Sequence, residues 1–132
     1  MHILLQSSLL FITNCASAYY CEYYLYSLFF CLLTITSLIF HSNKTLLSNL
    51  LDKCSIISIV LYGAYLFFNK FNNEKILISL CIMTTFLLVI YFYYYGYFIK
   101  HYCFNKNKKI STLYHCLIHF ISSIGHHLII IM

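Results

Sequence analysis

"ILISLCIMTTFLLVIYFYYYGYFI", Ile76 to Ile99, runs for 24 residues without a charged side chain, between Lys75 and Lys100. About 20 apolar residues in a helix cross the hydrocarbon core of a bilayer. In that medium every backbone amide needs a partner within its own segment, which a helix supplies. The run reads as a membrane-spanning helix, and its neighbours repeat the pattern. Apolar stretches from about Tyr19 to Phe40, Leu50 to Phe68 and Ile110 to Met132 bring the number of long spans to four. The expected fold is all-α: a polytopic transmembrane helix bundle of four to five spans, forming one domain over residues 1–132.

The composition points the same way. Of 132 residues, 62% are hydrophobic and 8% charged, with a mean hydropathy of +0.83. One soluble core of this length cannot hide so much apolar surface, so the expected partner is the lipid bilayer. All eight basic residues are lysines, placed in the short polar segments between apolar runs. The net charge of +5 therefore reflects membrane topology rather than nucleic-acid binding. The seven cysteines form no CxxC pair and mostly lie inside apolar runs, where a thiol behaves as a small hydrophobe. No disulfide framework or redox motif is expected. The lack of Pro, Trp and Arg beside abundant Ile, Tyr, Asn and Lys fits an AT-rich genome, such as that of a large DNA virus or a parasite. The expected location is an endomembrane (ER or Golgi) or a viral or host membrane.

Residues 1–18, "MHILLQSSLLFITNCASA", support two readings. Ala16-Ser17-Ala18 resembles a signal-peptidase site, yet no Lys or Arg precedes the apolar core. The alternative is a partial or tilted fifth helix. Lysine bias orients the four long spans. Lys44, Lys53, Lys100, Lys106, Lys108 and Lys109 flank one side and Lys70 and Lys75 the other, which places the 42–53 and 100–109 connectors in the cytoplasm. With four spans, both chain ends face the lumen or exterior.

That sidedness draws the histidines together. His41 closes the first long span, Asp52 opens the second, and His115 and His119 lie near the start of the fourth, all toward one side. His115 and His119 are i,i+4 and share a helix face, as two ligands of one metal must. Ser37 sits one turn deeper than His41. Three imidazoles leave the fourth tetrahedral position of zinc open, the layout of a catalytic site. Asp52 is then the candidate base for a water, and Ser37 a candidate hydrogen-bonding group for an oxyanion. The plainer reading is that these histidines are polar packing residues or interfacial groups. His126 and His127 are read that way.

"SLIFH" (Ser37–His41), "LLD" (Leu50–Asp52) and "HCLIH" (His115–His119) give SxxxH, D and HxxxH in order, with His41 and Asp52 eleven positions apart. This pattern resembles the CREST superfamily of membrane hydrolases, which includes alkaline ceramidases, hemolysin III with the adiponectin receptors, and GPI-lipid remodelling enzymes. The resemblance implies zinc on His41, His115 and His119, water activation near Asp52, a supporting role for Ser37, and a sphingolipid or other lipid amide or ester as substrate. Members have seven spans, so the resemblance implies a shortened relative, either degenerate or completed by a homo-oligomer. Cys21-Glu22 is a faint echo of the ceramidase calcium site and is not carried over. The competing expectation is a non-catalytic multi-pass protein, receptor-like, structural or viral, with a structural metal or none.

Overall fold

A computed structural model describes residues 2–132. It is helical throughout, with no strand among the described residues. The elements are α1 (His2–Ser8), α2 (Leu10–Tyr20), α3 (Tyr24–Ser42), α4 (Leu46–Lys70), α5 (Ile76–Ile90), α6 (Gly96–Ile99) and α7 (Lys108–Ile131). A π-helical turn over Tyr91–Tyr95 joins α5 to α6 without a break, so Asn73–Ile99 forms one long apolar rod. Four segments are long and apolar enough to cross a membrane: Tyr24–Ser42, Leu46–Lys70, Asn73–Ile99 and Lys108–Ile131.

The polar connectors end and restart these helices by specific bonds. Before α4, Thr45 Oγ1 accepts from the Ser48 N–H while Ser48 Oγ accepts from the Thr45 N–H, both at 3.1 Å, a reciprocal capping box. Asn107 caps α7 by accepting from the Lys109 N–H at 3.0 Å. Lys100 stops α6 in the left-handed conformation, φ 56°, letting the His101 N–H return to the Gly96 carbonyl at 3.1 Å.

Two sequence expectations shift. The first long span begins at Tyr24, not Tyr19, because Glu22 sits at φ 65° and ends α2. Tyr19 and Tyr20 belong to the preceding helix. That helix is bent: the Ser7 and Ser8 hydroxyls both donate to the Leu4 carbonyl, at 2.9 and 3.1 Å, and compete with the backbone just before the break at Leu9. Together α1 and α2 reach about 28 Å, at about 1.5 Å per residue, and traverse the bundle. The contacts Ser8–Ser37 and Ser27–Cys15 set them antiparallel to α3. Consequently His2 and Met132 lie at opposite ends of the bundle, not on one side as four spans alone imply. His41, Asp52 and His115 share the end at which α1 begins. Lys70, Lys75 and Met132 share the other, where Lys70 Nζ donates to the Ile129 and Ile130 carbonyls at 2.8 Å each and Lys75 Nζ to that of Met132.

An apolar core of Phe11, Tyr26, Phe30, Ile59, Ile82 and Ile129 is buried together with many polar residues, while the exterior is apolar. Ser8, Asn14, Thr34, Ser37, His41, Asp52, Ser123 and His126 are buried, while Leu28, Leu32, Ile35, Leu61, Leu80, Leu87 and many like them are exposed. Water would penalise this arrangement on both counts; lipid reverses it. The chain is an integral, multi-pass membrane protein. The Asn73–Ile99 rod is only 11% buried over its most apolar window, at hydropathy 2.4, so it presents most of its circumference to lipid. Between lipid-bathed helices, close packing and polar contacts provide the adhesion. At Gly125 a Cβ would stand 2.3 Å from Thr85 Oγ1, so only glycine lets α5 and α7 approach as they do. At Gly63 it would stand 2.7 Å from Tyr26 Oη, where α3, α4 and α7 meet.

Candidate metal centre

His41 lies in the last turn of α3, and His115 and His119 lie about 10 and 17 Å along α7 from Lys108, at about 1.5 Å per residue. Because α3 and α7 run antiparallel, the end of one faces the start of the other. One ligating atom from each of the three histidines falls within 4.8 Å of the other two. The ring centroids are 5.2 Å apart for His41 and His115, 5.7 Å for His41 and His119, and 5.0 Å for His115 and His119. Three imidazoles on one tetrahedral ion, with bonds of about 2.0–2.1 Å, would hold their donor nitrogens about 3.4 Å apart and their ring centres about 5 Å apart. The ring spacing is compatible with one shared ion, with the ligating atoms within 4.8 Å of one another against the separation of about 3.4 Å such an ion would require.

The surroundings favour the ligating state of His119. Ser7 Oγ is 2.9 Å from His119 Nδ1 and also donates to Leu4 O. Where Ser7 gives its proton to that carbonyl, it accepts from Nδ1–H, which leaves the Nε2 lone pair free. This is the outer hydrogen bond that metal-binding histidines characteristically make. Phe11 packs on the same ring at 5.4 Å between centroids, and His119 is 8% exposed, so water competes poorly there. If the three histidines hold zinc, replacing Ser7 with alanine is expected to weaken its binding by about 10- to 100-fold while leaving the helical content unchanged. Competition against a chromophoric zinc chelator, alongside circular dichroism, measures both.

Asp52 and Ser37 are both buried. Asp52 is not among the residues whose ligating atoms converge. Its Oδ1 is buried without a hydrogen-bond partner among the described residues, an acceptor whose desolvation cost is uncompensated. Ser37 Oγ is 2.9 Å from Ser8 Oγ, and either hydroxyl can be the donor in that pair. At the same end, burial pushes the Cys103 thiol up to about 11. It remains a protonated packing group, and its carbonyl accepts from Ser111 Oγ at 2.5 Å.

Sequence reasoning missed the contribution of α1 and α2. Ser7 supports His119, Ser8 holds Ser37, and Asn14 Nδ2 donates to the Ser123 carbonyl at 2.9 Å while Asn14 Oδ1 accepts from Ser123 Oγ at 2.7 Å. The available signal was the polar triplet Gln6-Ser7-Ser8 and then Asn14 within an apolar run, at helical spacing. His126 is fully enclosed by Tyr26, Phe30 and Phe86, with Tyr26 Oη 2.5 Å from its Nδ1. His127 meets Asn14 Nδ2 at 2.6 Å. Both histidines serve interhelical packing. The chain matches no protein-family model, no curated protein and no solved structure.

Proposed function

We propose that the protein is a zinc-dependent intramembrane hydrolase of a lipid amide or ester, ceramidase-like in its chemistry. The observation that carries this reading is the convergence of His41, His115 and His119 from two helices at one end of a membrane bundle. The motif resemblance to the CREST hydrolases supports it. Zinc held there would supply Lewis acidity toward water and a carbonyl. The protein's own groups would divide the remaining work. Ser7 keeps the His119 proton on Nδ1, and the burial of His41 and His119 limits bulk water. Asp52, with an unsatisfied oxygen, is the acceptor for the proton that water loses on attack. Ser37, hydrogen-bonded to Ser8 one turn before His41, is the candidate hydroxyl for an oxyanion.

A second reading has its own observation. Asp52 stands outside the converging group, and a cavity of about 190 Å³ lined by Val60, Ala64, Phe67, Ile82, Phe86 and Ile129 contains none of the three histidines. In that reading the metal staples α3 to α7 in a non-catalytic membrane protein. The experiment is zinc analysis of the purified wild type, with turnover of a lipid amide and ester panel in detergent micelles. About one equivalent of zinc and turnover abolished by a chelator is the expected result. Zinc without turnover favours the staple. Zinc below about a tenth of an equivalent overturns both.

A further inference from the structure

The two ends of the bundle differ completely in charge. The histidine end carries Lys44, Lys53, Lys100, Lys106, Lys108 and Lys109, with Asp52 as its sole carboxylate. It therefore holds the whole formal net charge of +5. At the opposite end Lys70 and Lys75 are cancelled by Glu22 and Glu74. Exposure sharpens the contrast. Lys44, Lys100, Lys106, Lys108 and Lys109 are exposed, whereas Lys70 and Lys75 are half-buried and donate to backbone carbonyls at the end of α7. Asp52 is itself buried, so none of the five exposed ammonium groups has an exposed carboxylate at its end of the bundle.

Aromatic residues surround this charge. Tyr94, Tyr95, Tyr97 and Phe98 are exposed on the rod just before Lys100, whose ammonium lies 4.2 Å from the centroid of the Tyr97 ring. Lys53 Nζ donates to Tyr93 Oη at 2.5 Å. Tyrosine at a membrane surface marks the headgroup level, so the exposed lysines stand at the depth of lipid phosphates. Clustered lysines at that depth gain about 1 kcal/mol each from an anionic leaflet.

We propose that this lysine and tyrosine collar binds the headgroups of anionic phospholipids, surrounding the histidine end of the bundle with a selected lipid shell. The inference does not depend on a metal at the histidines. Positive charge at a cytoplasmic face orients a protein whatever lipid is present; the collar adds retention of phosphate-bearing lipid against zwitterionic lipid.

The test uses the purified full chain in micelles containing equal phosphatidylglycerol and phosphatidylcholine, with retained lipid counted by native mass spectrometry. Phosphatidylglycerol should be retained in preference to phosphatidylcholine, and the preference should collapse at high salt, where the Debye length is about 3 Å. The triple variant K106Q/K108Q/K109Q should lose the preference by on the order of a hundredfold at low salt. K106R/K108R/K109R should keep it, which separates loss of charge from loss of fold. Equal retention of the two lipids by the wild type overturns the proposal. So does an unchanged preference in the glutamine variant, or displacement of the lipid by millimolar inorganic phosphate.

Discussion

His119→Ala is expected to reduce bound zinc from about one equivalent to below about a tenth. His119 is the residue at which the candidate centre and the helix packing meet. Its ring faces those of His41 and His115, its Nδ1 bonds to Ser7, and Phe11 lies against it. Removing it takes away one of three ligands and leaves the Ser7 oxygen without its donor. The lost interhelical hydrogen bond averages about 0.6 kcal/mol and the cavity left beside Phe11 adds to it, so the zinc-free variant should melt below the zinc-free wild type. The larger difference should appear on adding zinc. The wild type gains thermal stability because ligand binding favours the folded state; the variant gains none. Elemental analysis and melting curves in detergent, with and without zinc, give both quantities. A variant that keeps its zinc would show that His119 packs against the other two rings without being a ligand.

Asp52→Asn is expected to retain zinc and lose turnover by about 10²- to 10⁴-fold, the usual contribution of a general base. Asparagine preserves size and polarity but cannot take up a proton. Asp52 lies outside the converging ligand atoms, so the metal content should not follow the activity. Its buried Oδ1 has no hydrogen-bond partner among the described residues, so no visible packing bond is sacrificed. Unchanged turnover in D52N would remove Asp52 from the chemistry. Loss of zinc together with activity would instead make it part of the metal's surroundings.

The amino-acid sequence alone determined the class of fold, because the decisive quantity is local. Ile76 to Ile99 is long, apolar and uncharged, and hydrocarbon permits such a segment little other than a helix. The same locality placed His115 and His119 on one helix face through their i,i+4 spacing. The alternation of apolar runs and lysine-bearing connectors placed His41 and Asp52 toward the same end. Other features depended on contacts between segments distant in the chain. That residues 2–20 cross the bundle follows from Ser8 meeting Ser37 and Asn14 meeting Ser123, pairs 29 and 109 positions apart. The glycine-mediated approach of α5 to α7 depends on Thr85 lying opposite Gly125. Ser7 is an unremarkable serine in sequence; its role at His119 arises only where α1 lies against α7, 112 positions away. Periodicity reports which face a side chain occupies. Which partner meets that face is a property of the packed helices, and here that packing decided the contacts around His119.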